Sequence, residues 1–135
     1  MATQTIIQST GGYSDLDLSF NPHPVTGDLM VTKGDMSVIK SFKNLILYNH
    51  YEKPFNPQFG SNIQKLLFEL ITPFTAVAIE KEIEYVIKNY EPRVLLESVQ
   101  VSANYDENGY EVSIKFFIEN LTDPFTADFI LTRLR

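Results

Sequence analysis

Four carboxylates near predicted loops or helix ends have the clearest catalytic potential: Glu52, Glu69, Glu91 and Asp123. A glycoside hydrolase needs two such groups about 5 to 9.5 Å apart, one protonated and one ionised. The chain has 17 Asp and Glu residues, and acidic residues so abundant usually form a solvated surface. A lysozyme-like hydrolase is therefore the less favoured alternative.

Other kinds of active site lack their characteristic residues. The chain has no cysteine, which excludes thiol chemistry, disulfides and Cys-based zinc sites. His23 and His50 stand far apart and neither has a second histidine at helical spacing. No serine lies in a nucleophile-elbow pattern, and no glycine-rich phosphate loop occurs. We predict a non-enzymatic protein without catalytic residues, cofactor or metal.

The charge of the chain argues against two classes of partner. With 11 Lys and Arg against 17 Asp and Glu, the net charge is −6. Nucleic-acid and anionic-membrane binding both need a basic surface, so we expect neither. The sequence shows no signal peptide and no apolar run of membrane-spanning length, which predicts a soluble protein that folds in a cytoplasm.

The most unusual local feature is Tyr90-Glu91-Pro92-Arg93, where the strongest predicted helix meets a predicted strand. Proline stiffens this corner, and arginine offers a planar fork of donors suited to carboxylates or carbonyl groups. Two interpretations remain open. Glu91, Pro92 and Arg93 could dock another chain, or Glu91 and Arg93 could tie the turn internally.

The first of three predicted helices begins near Asp35, and Pro54 and Pro57 make residues 51–60 a rigid loop. A short second helix is expected from Ser61, where Gln64 completes a capping box. The third helix stops before Pro92. The predicted apolar faces are Val38, Phe42, Leu45 and Ile46, then Ile63, Leu66, Leu67 and Leu70, and then Ala76, Ile79, Ile83, Val86, Ile87 and Tyr90.

Beyond the third helix the apolar period changes to two, which predicts strands at residues 99–105, 110–118 and 125–131. Asn108-Gly109 suits a tight hairpin between the first two. The fold class is therefore α+β, with about three helices followed by a small antiparallel sheet. The last strand, carrying Phe129 and Leu131, leaves an edge that a partner's strand could fill or that the first helix or an N-terminal arm could cover.

Residues 1–34 form an irregular N-terminal arm in this interpretation, and residues 35–135 a single α+β domain. A short strand is possible at residues 15–20, where polar and apolar residues alternate. The arm could wrap on the domain or on a neighbour, or it could be a loose terminus.

Several short motifs, taken in order, carry a family resemblance. They are Tyr13-Ser14-Asp15-Leu16-Asp17, Pro24-Val25-Thr26-Gly27-Asp28, Ile39 to Leu45, Glu52-Lys53-Pro54-Phe55, Pro57-Gln58-Phe59-Gly60, Leu67-Phe68-Glu69 and Tyr90-Glu91-Pro92-Arg93. Residues 13–120 resemble the baseplate wedge, or sheath-initiator, family of contractile phage tails and its type VI secretion relatives. The Glu-Pro-Arg triplet is that family's hallmark. One departure is Tyr51, where the family often has glycine.

The resemblance implies a structural wedge subunit of a virion's tail baseplate, assembled in the host cytoplasm. Residues 91–93 would meet the helical core bundle of neighbouring wedge proteins. The fold would resemble the attachment part of the sheath subunit, with its sheet completed by arms of the first sheath ring, so Phe129 and Leu131 join the expected interaction residues. The implied partners are other wedge proteins, the tail sheath protein and, as a further candidate, the tail tube. Family members have also carried a lysozyme-like label, which suggests peptidoglycan as the alternative substrate.

Overall fold

The computed structural model describes residues 14–17, 20–119 and 121–133, and it places helices against one face of an antiparallel sheet. In chain order the elements are β1 (Ser14–Leu16), β2 (Val31–Lys33), α1 (Asp35–Leu47), α2 (Ile63–Leu67), α3 (Pro73–Tyr90), β3 (Val94–Asn104), β4 (Gly109–Ile118) and β5 (Phe125–Thr132). The predicted α+β class, with three helices followed by an antiparallel sheet, is confirmed. None of the described helices is long and apolar enough to span a membrane.

The main sheet has the strand order β3-β4-β5, so β4 is central and β3 and β5 are edge strands. Ala103 pairs with Tyr110, and Phe116 pairs with Phe125. Every second side chain of β4 is buried: Tyr110, Val112, Ile114, Phe116 and Ile118. Within the described part of the chain, no strand pairs with the outer edge of β3 or β5. The sheet therefore has two unpaired edges there.

The first strand of this sheet is longer than predicted. It begins at Val94 rather than Val99, directly after the corner, and its register shifts between Leu96 and Ser98. This bulge breaks the two-residue period, since an extra residue moves the following side chains to the opposite face. The alternation therefore becomes visible in the sequence only beyond the bulge.

The hairpin between β3 and β4 has the predicted positive φ at Asn108, whereas Gly109 begins β4 and is needed for a different reason. Asn108 has a φ of 54°, in the left-handed region that asparagine tolerates. The Asn104 side chain accepts hydrogen bonds from the backbone N–H groups of Asp106 and Glu107. A Cβ atom at Gly109 would lie 2.5 Å from the carbonyl oxygen of Leu131. Gly109 is therefore required by the close approach of β5.

The core lies between the sheet and the apolar faces of α1 and α3. The ring of Phe42 on α1 packs edge-on against Phe116 on β4, with centroids 5.1 Å apart. Burial of each large apolar side chain stabilises the fold by about 1.5–3 kcal/mol. The predicted faces are confirmed by complete or near-complete burial of Val38, Phe42, Leu45, Ile46, Ala76, Ile79, Ile83, Val86 and Ile87.

The capping box predicted at Ser61 is wrong. The helix α2 begins at Ile63, and Asn62 precedes it without a side-chain capping bond. The Ser61 hydroxyl donates to the carbonyl oxygen of Ile46 at 2.7 Å, and the Gln64 amide bonds to Asn49. These polar groups join α2 to the end of α1. Long-range hydrogen bonds have replaced the local cap.

The predicted apolar face of α2 is also too long. Leu70 is 83% exposed, because α2 ends at Leu67. Thr72 then caps α3 by accepting a hydrogen bond from the Thr75 N–H, and Pro73 occupies the first helical position, where it costs no hydrogen bond. Thr72 and Pro73 therefore start the third helix, five residues beyond the end of the second at Leu67.

Part of the predicted arm forms a small antiparallel hairpin, in which Ser14–Leu16 pairs with Val31–Lys33. The carboxylate of Asp17 lies 3.1 Å from the Lys40 ammonium on α1, which ties the hairpin to the helix. Residues 1–13, 18 and 19 of the predicted arm, together with Asn120 and residues 134 and 135, lie outside the described residues. The arm and its boundary with the domain stay predictions.

Candidate protein-interaction site

The Glu91-Pro92-Arg93 corner joins the last turn of α3 to the first residue of β3. Glu91 ends the helix, and its N–H donates to the Ile87 carbonyl oxygen at 3.0 Å. Its φ of −123° has left the helical region, as the following proline requires. Pro92 is exposed at the apex. The sequence therefore stops the helix and turns the chain within two residues.

The side chains of this corner form an internal ion pair. The Arg93 Nε donates to one Glu91 oxygen at 2.6 Å, and its Nη2 donates to the other at 2.9 Å. The Ser41 hydroxyl donates to the same carboxylate at 2.8 Å. Glu91 is only 4% exposed, so its charge needs these donors. The structure therefore shows the internal Glu91–Arg93 ion pair, which was one of the two interpretations of the sequence. Docking of another chain by the triplet stays a prediction.

The same arginine reaches the N-terminal hairpin. Its Nη1 lies 3.4 Å from the Asp15 carboxylate on β1. Arg93 therefore links β1 and the end of α3, while Ser41 adds α1 to the cluster. The motif thus joins segments that are far apart in the sequence.

The ionisation of both partners follows from this geometry. Burial raises the pKa of Glu91, but the hydrogen bonds from Arg93 and Ser41 and the positive charge of Arg93 outweigh it, so the pKa lies below its ordinary value. The hydrogen bond to Glu91 is the main cause of a raised pKa at Arg93. The pair is therefore charged at neutral pH.

A groove of about 530 Å³ opens beside the corner, between the N-terminal hairpin and α1. The lining combines aromatic and polar side chains, including Leu16, Asn44, Tyr48, Phe59 and Tyr90. The Tyr90 hydroxyl donates to the Gln58 carbonyl at 2.8 Å, which fixes one wall to the proline-rich loop. The corner therefore borders a concave surface with ordered walls.

The last strand presents the two remaining predicted interaction residues on its inner face. Leu131 is 3% exposed in the core, and Phe129 is partly buried beneath the Lys43 ammonium, 5.8 Å from its ring centre. The close approach of the Leu131 carbonyl to Gly109 indicates that Leu131 turns its backbone groups toward β4. Because backbone groups alternate along a strand, Ile130 and Thr132 turn theirs to the open edge. Any strand addition would therefore use the backbone of β5.

An apolar cavity of about 220 Å³ lies beside this open edge, and we call it the β5 socket. Its lining comes from the end of α1, from α2 and from β5: Leu47, Gln64, Leu67, Phe68, Ile130, Leu131, Thr132 and Arg133. Leu47 and Phe68 are 43% and 57% exposed. Sequence reasoning missed this site, because it joins residues from three elements. Exposed apolar residues at the helix ends were the available signal.

Two of the four carboxylates considered for catalysis have pKa values below the ordinary value, so they are not held protonated for proton donation at neutral pH. Hydrogen bonds from Asn49 lower the pKa of Glu52, and that of Glu91 is also lowered. Glu69 and Asp123 are exposed. Over residues 14–17, 20–119 and 121–133, no three His, Asp or Glu side chains are grouped to hold a metal ion.

Comparison with known proteins agrees with the motif resemblance. The family model "Baseplate wedge protein gp25" matches residues 32–120. The baseplate wedge protein gp25 of Enterobacteria phage T4 is 34% identical over 110 residues, which cover 78% of this chain and 80% of that protein.

Solved structures share the fold. A chain of the anti-feeding prophage baseplate is 24% identical with a TM-score of 0.70, covering 84% of this chain and 90% of that one. A putative tail lysozyme from Geobacter sulfurreducens is 20% identical with a TM-score of 0.70, covering 80% and 98%. A chain of the type VI secretion baseplate complex is 15% identical with a TM-score of 0.63, covering 74% and 93%. The family match and the T4 relative establish that the chain belongs to the baseplate wedge protein gp25 family.

Proposed function

We propose that this chain is a non-enzymatic wedge subunit that docks on neighbouring wedge proteins through the corner and starts the tail sheath at β5. The observation that carries the sheath role is the outer edge of β5, with which no other described strand pairs, in a chain of the baseplate wedge family. An edge strand offers a row of unpaired N–H and C=O groups to an incoming strand. A fixed ring of such edges, one per wedge, sets the starting register of the sheath.

The docking role uses the corner as a rigid projection. Because Arg93 and Glu91 bond to each other, the surface offered to a partner is the exposed Pro92 and the adjoining groove. A helix of the wedge core bundle fits the concave wall that Tyr48 and Tyr90 line. The ion pair holds this surface in shape, so a partner binds without first ordering it.

The sheath role is tested by removing one outward N–H group from the edge of β5. Asp128 is exposed and, like Ile130, occupies an outward-facing backbone position. We expect Asp128→Pro to fold and enter baseplates but to give no ordered sheath, since proline removes a donor and obstructs the edge. Electron microscopy of tails from a complementation assay measures this.

Asp128→Ala is the matched control, because it removes the same side chain and keeps the N–H. Sheaths of normal length from Asp128→Pro would contradict the proposal. Deleting residues after Asn120 would be a poorer test. It would also remove Ala127 and Leu131 from the core.

The lysozyme-like alternative is suggested by the name of the similar Geobacter sulfurreducens structure, a putative tail lysozyme. A general acid in a glycoside hydrolase needs a raised pKa, and Glu91, a buried carboxylate, has a lowered one. Incubation of the purified protein with peptidoglycan tests the alternative. Turnover that is lost on mutation of one glutamate would favour the enzyme.

The partners in this proposal are the wedge proteins and the sheath protein, with the tail tube as a further candidate. The site of action is the tail baseplate of the virion, after assembly in the host cytoplasm.

A further inference from the structure

The β5 socket lies where the helical layer extends beside the open edge of the sheet. Leu47 ends α1, and Leu67 and Phe68 end α2, so these side chains stand next to β5 on its helix-facing side. On β5 itself, Leu131 faces the same layer. A strand added to β5 would continue the pleat of the sheet, and its inward side chains would lie over this socket.

The socket carries a positive charge at its mouth. The Arg133 guanidinium lies 4.9 Å from the centre of the Phe68 ring. Among the described residues, no carboxylate pairs with Arg133. A cation–π contact holds the guanidinium over the ring and leaves its N–H donors available to a carboxylate.

We propose that the strand added to β5 is an extended segment with one apolar side chain that fills the β5 socket and, on the same face, an acidic side chain that pairs with Arg133. This inference rests on the proposed sheath role and adds to it the chemistry of the incoming segment. Backbone pairing along β5 supplies affinity, whereas the socket selects the segment and fixes its register. A register slip by one residue would turn the apolar side chain away from the socket.

A charge placed in the socket tests this selection. Phe68→Glu removes the aromatic wall and sets a carboxylate beside Arg133, at a position 57% exposed in the free chain. We expect baseplates of normal composition with sheath initiation reduced at least about tenfold, as for loss of an apolar anchor at an interface. Leu70→Glu is the control, since Leu70 is 83% exposed and lies outside the socket lining.

The outcomes separate this inference from the function on which it rests. A defect in both Asp128→Pro and Phe68→Glu, with normal Leu70→Glu, supports both. A sheath defect in Asp128→Pro alone would overturn the proposed role of the socket and would still support strand addition. Normal sheaths from both variants overturn the sheath role itself. Thermal unfolding of each purified variant separates loss of fold from loss of binding.

Crosslinking identifies what occupies the socket. Because the chain has no cysteine, Glu69→Cys, at an exposed position that follows Phe68 and lies outside the socket lining, can be labelled at one position with a benzophenone maleimide. In intact tails we expect crosslinks to one partner segment with alternating side chains and an acidic residue near the crosslinked apolar one. Crosslinks within this chain, to a segment without that pattern, or at the same yield from Leu70→Cys would overturn the inference.

Discussion

The Glu91–Arg93 pair shows how a two-residue motif stabilises a corner between a helix and a strand. The carboxylate is nearly inaccessible, and three donors from Arg93 and Ser41 surround it. A buried charge is tolerated only when it is paired and hydrogen-bonded. The motif therefore has a structural role in the free chain, whatever it contacts in an assembly.

Arg93→Ala should destabilise the folded chain by about 3 kcal/mol, because it leaves the Glu91 charge buried without its main partner. Urea unfolding followed by circular dichroism measures the change in the free energy of unfolding. Lys88→Ala is the control, since its pair with Glu84 is exposed and spans 4.0 Å, and it should cost less than about 0.5 kcal/mol. Equal effects of the two substitutions would contradict a structural role for the corner.

The free energy of unfolding should depend on pH through the ionisation of Glu91. A carboxylate whose pKa is lowered by folding stabilises the protein above its unfolded pKa, and that contribution is lost as the pH falls through the folded pKa. For Glu91 the window lies below its ordinary value of 4.5. The free-energy difference between the wild type and Glu91→Gln should be largest at neutral pH and should shrink below about pH 4.5. Urea titrations across this range test it, and a constant difference would exclude the linkage.

Tyr51 occupies a backbone position whose conformation favours glycine. Its φ is 71°, in the left-handed region that favours glycine, and its side chain is 81% exposed. Tyr51→Gly should raise stability by about 0.5–1 kcal/mol, since relief of backbone strain exceeds the entropic cost of glycine. Tyr105 is 65% exposed without a positive φ, so Tyr105→Gly should instead lower stability. Differential scanning calorimetry of both variants measures the contrast.

At the scale of elements, the periodicity of apolar residues predicted those features of a helix or strand that depend on its own residues alone. The apolar stripe of α3 and the alternation of β4 were visible, because each element buries one face along its whole length. The bulge in β3 and the hydrogen bonds of Ser61 depend on distant segments. For the same reason, the sequence did not decide whether the corner forms an internal ion pair or docks another chain. It also did not reveal the β5 socket.

The β4–β5 contact provides an element-scale prediction. Gly109→Ala should loosen β5, because the new methyl group would meet the Leu131 carbonyl, and overpacking of this kind costs about 1–3 kcal/mol. Hydrogen exchange should quicken at the β5 amides. Gly27→Ala is the control, because its cost arises from a φ of +68° with no neighbouring atom within 4 Å. Unchanged β5 exchange in Gly109→Ala would contradict the close approach.

At the scale of the whole molecule, the exposed apex of the corner, Pro92, and the β5 socket lie toward opposite ends of the sheet, although the groove beside the corner extends to Tyr48, which follows Leu47 of the socket lining. The corner adjoins Val94, which pairs with Ile118, whereas the β5 socket adjoins Leu131, which pairs with Tyr110. The path along β4 from Tyr110 to Ile118 is about 27 Å at 3.4 Å per residue. Sites so far apart act independently unless a change of fold couples them. One small domain can therefore contact the wedge on one side and the sheath on the other.

The distance between Pro92 and the edge of β5 predicts that substitutions at the two places block different steps of assembly. Pro92→Glu places a charge at the exposed apex without removing the Glu91–Arg93 pair, so we expect a folded chain that fails to enter wedges. Asp128→Pro should enter wedges and fail afterwards, at sheath formation. The double variant should accumulate as free subunit, like Pro92→Glu alone, because docking precedes use of the β5 edge.

Sedimentation of lysates from complemented cells separates free subunits, baseplates and sheathed tails. Gln100→Glu supplies the control, since it adds the same charge at an exposed position on the far part of β3. Incorporation of Pro92→Glu at the level of this control would remove the corner from the docking surface. Appearance of the double variant in baseplates would show that wedge entry does not require the corner, and the wedge contact would then have to lie elsewhere on the domain.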